Sequence, residues 1–416
     1  MKTVGIIAEY NPFHTGHEYH IEKSRQITGA DCVVVVMSGD FVQRGTPAIA
    51  DKYTRAEAAL IGGADLVLEL PVVYSTGSAE IFAMGAISIL NSLGGIDYIA
   101  FGGETDSIEA LNQMADILCI EPQEYRELLQ KGLRKGLNMP VARKEALNTL
   151  LPEISTVINT PNNILGVEYL KALKTFHSNI QPIIIKRMGS GYHSEELSED
   201  FASATALREC FNIEDFSNLN KFMPEQVFEL YKSKHCSALP IFPEDMDMLL
   251  YHTLISEQNN LEKYLDINNN LANKINNVLK SGELLSFNEL VMALKSKELT
   301  YTRISRALLH AVLGITNEDL LMVKDNNYPC YGRILGFNET GRKFLNNIRK
   351  NTNLSLISNL SENLERLTNA QKNLLQKDIF AANIYRNIVK TKFKTTLKDE
   401  YRSSPVNSGL VSHAVR

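Results

Sequence analysis

Apolar and polar positions along this chain change their period once. In the first two hundred residues, short apolar runs alternate with longer amphipathic stretches. Val4 to Ala8 is an apolar run of strand length. A polar loop containing Asn11 and Pro12 follows, and then a helical pattern from about Thr15 to Thr28. Cys32 to Met37 reads CVVVVM, β-branched and apolar on both faces, and Ser38-Gly39-Asp40 ends it. The pattern predicts a helix from about Tyr53 to Gly62 and a strand from Leu66 to Leu70. A helix from about Ser78 to Leu93 comes next, then a strand from Tyr98 to Phe101 stopped by Gly102-Gly103. Strands alternating with helices need right-handed crossovers and close into an open parallel sheet, so the fold class is α/β and Rossmann-like.

The pattern then turns helical from Ser107 to Leu150. One more strand is expected at Pro182–Ile185 and a helix from about Ala204 to Phe211. Beyond roughly Ser217 strand signals almost vanish, and helical stretches are punctuated by Asn259-Asn260 and Asn268-Asn269-Asn270. Tyr328 to Gly336 breaks that pattern as a turn or short strand. The expected division is residues 1–215 as an α/β unit, 216–400 as a mostly helical domain, and 401–416 as a loose tail.

Length and composition narrow the class. The chain has 416 residues, 44% hydrophobic and 22% charged, enough for a sizeable core in two or three domains. A net charge of -5 points to no overall nucleic-acid field, so any such surface must be local. The five cysteines, Cys32, Cys119, Cys210, Cys236 and Cys330, form no metal or redox spacing and read as small core residues. With no signal peptide and no apolar run near the ~20 residues that cross a bilayer, a cytoplasmic location is expected, with no membrane association. No feature calls for an obligate protein partner.

The strongest chemical signal is Asn11-Pro12-Phe13-His14-Thr15-Gly16-His17, directly after the first strand and at the start of the first helix. That is the carboxyl edge of a parallel sheet, where ligands of open α/β folds bind. A helix N-terminus offers unpaired N–H groups and a positive dipole end to an anion. Two imidazoles flanking Gly16 can donate to phosphate oxygens, and the glycine lets a ribose or base lie against the backbone. ATP is the natural ligand, with His14 and His17 as the candidate catalytic residues. The bland reading is a pair of helix-start histidines with local hydrogen bonds, and the position after a buried strand argues against it.

Weaker signals lie on the same edge. Ser203-Ala204-Thr205 opens a helix; its hydroxyls and Arg208 can hold phosphates, or the segment can merely cap. Gly102 can admit adenine to the backbone. Asn162, at the start of another helix, can read adenine or ribose, and Arg187 ends the strand that begins at Pro182. Asp40, Gln43 and Arg44, after the second strand, are candidates for the second substrate. No cluster resembles a metal cage, so Mg²⁺ is expected to arrive with ATP. In the helical half Arg303, Arg306 and His310 stand at i, i+3 and i+7, so one helix face can hold all three against RNA phosphates. Tyr301 and Tyr331 can stack on bases. A solvated helix face is the default for each.

Taken in order, VGIIAEYNPFHTGHEYH, MSGDFVQRG, DLVLELP, FGGE, PNNILG and ASATALR resemble the bacterial tRNA(Met) cytidine acetate ligase family, within the HxGH nucleotidyltransferase superfamily. The resemblance covers at least residues 1–345. It implies that acetate attacks the α-phosphate of ATP to give acetyl-adenylate, and that the acetyl group passes to N4 of the wobble cytidine of elongator tRNA(Met). It implies ATP contacts at Ile7, Ala8, Glu9, Tyr10, Asn11, Pro12, Phe13, His14, Thr15, Gly16, His17, Glu18, Tyr19 and His20, and at Gly102, Asn162 and Arg187. Ala204 stands where related nucleotidyltransferases often carry a second Ser, which puts one phosphate donor in doubt. Two rivals share part of this pattern: a small-molecule adenylyltransferase, and a non-catalytic RNA-binding protein that keeps a nucleotide pocket as a sensor. A class I aminoacyl-tRNA synthetase would need a KMSKS-like loop, and Lys295-Ser296-Lys297 lies in helical context.

Overall fold

The computed structural model describes residues 1–154, 160–186, 204–211, 216–296, 298–360 and 364–407, the side chains of residues 154, 205 and 217 apart. Strand β1 (Thr3–Ala8) leads to helix α1 (Thr15–Thr28). Next come β2 (Cys32–Ser38), the two-residue strands β3 (Phe41–Val42) and β4 (Thr46–Pro47), α2 (Lys52–Ile61) and β5 (Leu66–Leu70). Helices α3 (Val72–Ser75) and α4 (Ala79–Leu93) precede β6 (Tyr98–Gly103). Helices α5 (Ile108–Ile120), α6 (Gln123–Arg134), α7 (Met139–Leu150) and α8 (Pro161–Thr175) separate it from β7 (Gln181–Lys186). Each strand and helix expected in this part forms within a residue or two, because its apolar period and its caps agree. Asp51 caps α2 through its carboxylate, Ser78 caps α4, and Gly29 ends α1 at φ 64°.

The rest is helical: α9 (Ala204–Cys210), α10 (Glu225–Lys234), α11 (Asp247–Ser256), α12 (Asn269–Ser281), α13 (Phe287–Leu294), α14 (Tyr301–Leu313) and α15 (Asn317–Asp325). Then come β8 (Gly332–Phe337), α16 (Glu339–Ile348), β9 (Leu356–Ile357), the long α17 (Asn369–Phe393) and β10 (Val406–Asn407).

The main sheet has the order β10-β8-β5-β2-β1-β6-β7, with β9 beside β8. From β5 to β7 all pairings are parallel, and β8 joins β5 antiparallel. Alternate residues of β2 serve two cores. Val34 and Val36 pack with α4, α5, α8 and much of the helical half, whereas Val33, Val35 and Met37 face α1, α2 and α10. A strand buried on both faces explains the unbroken CVVVVM run.

The chain's last third returns to this sheet. Gly332–Phe337 covers the edge of β5, and Val406 and Asn407 pair with Gly336 and Phe337. The stretch expected to be a loose tail from 401 therefore begins as an ordered segment. An exposed β5 edge would offer unpaired backbone groups, and β8 satisfies them. One apolar core runs from β2 and β5 into α11, α14 and α17, across the division expected between residues 215 and 216. Among the described residues no helix is long and apolar enough to cross a membrane.

Candidate active site

The loop after β1 is built by packing as much as by its own sequence. Tyr10 is buried at φ 47°, and the Asn11–Pro12 peptide is cis. Phe13 is fully buried beside α2, where a Cβ on Gly62 would come within 2.1 Å of its ring. The Tyr10, Phe13 and His17 rings form one cluster, with centroids 4.8 to 5.6 Å apart. Asn11 Oδ1 accepts from the Ile49 N–H at 2.8 Å, and Arg208 Nη1 donates to the Asn11 carbonyl at 2.8 Å. From the helical half, Tyr231 Oη accepts from the Phe13 N–H at 3.2 Å.

His14 is the N-cap of α1. Its Nδ1 accepts from the Gly16 N–H at 3.1 Å, and His17 Nδ1 accepts from the His14 N–H at 3.3 Å. The two rings stack at 3.7 Å and 28°. This reciprocal box is a histidine version of the usual serine and glutamate pair. The local hydrogen bonds of the bland reading are therefore real, and they have a chemical consequence. A neutral imidazole whose Nδ1 accepts carries its proton on Nε2, so both rings are held as Nε2–H donors.

Arg55 was not legible as a site residue. It lies fully buried in α2, Nε donating to the Ala50 carbonyl at 2.9 Å. Its Nη1 donates to Glu9 O at 2.6 Å and to Ser38 O at 3.1 Å, and its Nη2 donates to Gly39 O. One planar guanidinium thus ties the end of β1 to the end of β2. In sequence it is simply a charge on an amphipathic helix.

The parallel register, Ile6 opposite Ala100, brings the end of β1 and Gly102 to one edge. There Asn162 Nδ2 donates to Glu104 Oε1 at 2.6 Å, the Asn163 N–H donates to Glu104 Oε2 at 3.1 Å, and Asn163 Oδ1 accepts from the Glu104 N–H at 3.0 Å. Asn162 therefore stands at the expected edge, engaged with a carboxylate at the N-terminus of α8, where the helix dipole favours one. Glu104 and Asn163, in the FGGE and PNNILG motifs, carry this junction. The structure thus places His14, His17 and Arg208 at the loop after β1, and Gly102 and Asn162 at the end of the neighbouring β6. Arg187 and Ser203 lie outside the described residues, as does the Thr205 side chain.

The second-substrate candidates separate. The Gln43 N–H donates to Glu9 Oε1 at 2.8 Å, which places Gln43, with Arg44 beside it, against the β1 loop. Asp40 is buried and accepts from the Lys52 N–H at 2.8 Å. Burial pushes its carboxyl up to about 7, with the nearby Lys52 ammonium opposing the shift. It anchors α2 in a buried ionic cluster. Lys52 Nζ lies 2.8 Å from Glu69 Oε1 and 2.9 Å from Glu400 Oε2, and Arg333 Nη2 lies 3.4 Å from Glu400 Oε2. Glu69 was the available signal: a lone carboxylate inside a strand apolar on both faces requires a buried cation.

The expected RNA face on α14 does not survive as a set. His310 is fully buried, its ring nitrogens 3.1 Å from Leu265 O and 3.0 Å from Thr76 O, and burial holds its pKa below the usual value. Arg306 pairs with Asp266 at 3.2 Å, and its backbone closes on Gly45 of the β3–β4 turn, at φ 79°. Arg303 stays half-exposed and forms no ion pair among the described residues. Spacing i, i+3, i+7 does define one face, but α14 packs that face against the β3–β4 hairpin and the 261–267 segment. Tyr331, expected to stack on bases, is fully buried with its hydroxyl on Asp378, and Tyr301 donates to Asn288.

Comparison with known proteins agrees with this geometry. A family model described as HIGH Nucleotidyl Transferase matches residues 1–400. The tRNA(Met) cytidine acetate ligase of Clostridium novyi (strain NT) is 40% identical over 411 residues, covering 98% of this chain and 99% of that protein. The protein of the same name from Thermoanaerobacter sp. (strain X514) is 41% identical over 388 residues, 92% of this chain and 95% of its own. The crystal structure of Thermotoga maritima TmcAL without ligand superposes with a TM-score of 0.92 at 33% identity, covering 98% of this chain and 99% of that one. The same protein bound with alpha-thio ATP gives 0.88 at 34% identity with the same coverage. With the HTGH cap at the start of α1, directly after the first strand of this sheet, the chain belongs to the HIGH nucleotidyltransferases and, among them, to the tRNA(Met) cytidine acetate ligase family.

Proposed function

We propose that this protein is an ATP-dependent ligase that activates acetate and transfers the acetyl group to N4 of the wobble cytidine of elongator tRNA(Met). The observation that carries the reading is the pair of stacked histidines at the α1 cap, each Nδ1 accepting from a backbone N–H, which leaves each Nε2 to donate. In the first step an acetate oxygen bonds to the α-phosphorus of ATP, and the bond to the bridging oxygen breaks. Acetyl-adenylate and pyrophosphate result. Negative charge grows on the phosphate oxygens, and His14, His17 and the α1 N-terminus are the donors suited to meet it. Arg208, bonded to the Asn11 carbonyl, brings a cation to the same loop. In the second step the cytidine N4 attacks the acetyl carbonyl, AMP leaves, and N4 loses a proton.

Gly102, Asn162 and Arg187 complete the ATP contacts in this reading, and Gln43 with Arg44 face the second substrate. Among the described residues no three His, Cys, Asp or Glu side chains are grouped to hold a metal, so Mg²⁺ is assigned to ATP as its counter-ion. Residues 1–215 make the adenylate, and 216–400, tied to them through Tyr231 and Glu400, help to hold the tRNA.

Acetate-dependent ATP–pyrophosphate exchange without RNA, followed by acetyl transfer to tRNA(Met), tests the reading. His14→Ala and His17→Ala should each lower exchange about 10²–10³-fold. Because His14 also caps α1, His14→Asn is the discriminating variant. An asparagine restores the cap, which is worth ~1 kcal/mol, and supplies no imidazole. Stability should return with His14→Asn while exchange stays low. Exchange near wild type in His14→Asn would reduce the motif to a helix cap, and exchange that does not depend on acetate would remove the ligase reading.

A further inference from the structure

One stretch of this acidic chain is strongly basic. Residues 128–144 contain Lys131, Arg134, Lys135, Arg143 and Lys144 and no carboxylate. They form the end of α6, the turn at Gly136 and the start of α7, a helical hairpin closed by Ala142 against Gly132, where a Cβ would lie 3.0 Å away. Lys131, Arg134 and Lys135 stand at i, i+3 and i+4, on one face. These three and Lys144 are exposed, and no ion pair is formed by any of them among the described residues. The nearest acid on that face, Glu127, accepts instead from Gln123 Nε2 at 2.9 Å.

The helix dipole would favour cations in the last turn of α6, so those residues alone mean little. The same dipole favours acids in the first turn of α7, which carries none. The tip also exposes Leu133, Met139 and Val141, apolar groups beside the charges. By contrast the basic end of α17 is neutralised in part, with Lys392 on Asp245 at 2.8 Å.

The hairpin is fastened to the catalytic edge. Arg143 Nη1 pairs with the buried carboxylate of Glu168 at 2.9 Å, on α8. Asn162 and Asn163, which hold Glu104 after β6, are the first turn of that helix. Six residues separate Asn162 from Glu168, about 9 Å of helix rise. We infer that the α6–α7 hairpin docks the phosphate backbone of the substrate tRNA, a partner that rests on the function proposed above. Four exposed cations without an ion pair among the described residues attract the phosphates of a polyanion and repel other basic surfaces.

The test uses the full-length protein with Lys131→Glu, Arg134→Glu and Lys135→Glu combined. A second variant with all three changed to Gln keeps the α6 end free of added acids. Binding of tRNA(Met) is measured over a range of salt, with acetate-dependent pyrophosphate exchange as the control. Losing three phosphate contacts should lower the slope of log affinity against log salt by about two to three and weaken binding at least tenfold at physiological salt. Exchange without RNA should be unchanged in both variants, and the KM for tRNA should rise. Affinity and salt slope equal to wild type would overturn the docking surface. So would a loss of binding to vesicles of anionic lipid with tRNA binding intact, since the hairpin would then be a membrane-surface element. Wild-type protein that neither binds nor acetylates tRNA(Met) would overturn the proposed function, and the docking surface with it.

Discussion

Lys52→Met probes how the sheet edge is held. Lys52 opens α2 and is 1% exposed, its ammonium between Glu69 and Glu400 at 2.8 and 2.9 Å. Burial works against that ammonium, but Glu400, Glu69 and Asp40 together outweigh it and hold its pKa well above the usual value. Methionine keeps most of the stem's packing and removes the charge. Glu400 then retains Arg333 at 3.4 Å, and Glu69 retains no cation within 4 Å among the described residues. Removing one partner of a buried pair costs about 3–5 kcal/mol, and Glu69 is the carboxylate left without a cation among the described residues, so a loss in this range is expected. That is a large share of the roughly 5–15 kcal/mol that stabilises a typical domain.

The loss should depend on pH with a definite sign. Burial already raises the Glu69 carboxyl, and deleting Lys52 raises it further. A carboxyl whose folded pKa lies above its unfolded value contributes stability at low pH and loses it as pH rises through the folded pKa. The variant's deficit should therefore be largest in mildly basic buffer and shrink on acidification. Urea unfolding of wild type, Lys52→Met, Glu69→Gln and the double variant, at mildly acidic and mildly basic pH, gives the coupling energy directly. The double variant should recover much of the loss. A deficit under about 1 kcal/mol, or strictly additive single changes, would refute the assignment of the cluster as a coupled buried unit.

Two further outcomes follow from the packing. Gly62→Ala places a methyl 2.1 Å from Phe13 Cζ, and it should cost about 1–3 kcal/mol and lower pyrophosphate exchange by displacing the HTGH loop; normal exchange in the folded variant would show that Phe13 does not set the position of His14. Asp378, pushed up to about 8 by burial with Glu69 adding to it, accepts from the Val72 N–H at 2.6 Å and meets the Tyr331 hydroxyl. Its contribution is full below about pH 4 and is lost as pH rises through about 8, so Asp378→Asn should flatten thermal stability across that window, and an unchanged pH profile would exclude Asp378 as the titrating group.

Local structure in the first half was written in the sequence because neighbouring residues decide it. An apolar run on both faces can only be an interior strand, and Asp51, Ser78 and Gly29 stop or start helices through bonds to nearby backbone. His14-Thr15-Gly16-His17 belongs to this class: its cap is made within four residues, so its place after β1 was readable. Tertiary structure alone decided the rest, since those choices are made by residues far apart in the chain. Tyr328 to Gly336 reads as a turn or short strand, but nothing near it says that a strand there will lie antiparallel beside β5. Arg55 becomes a clamp only once β1 and β2 end side by side, and Glu69 meets Glu400 across a shared lysine. On α14 the spacing of Arg303, Arg306 and His310 was correct, but periodicity defines a face without saying whether water or protein covers it. There the β3–β4 hairpin and the segment before Ile267 cover it, and His310 became part of the core.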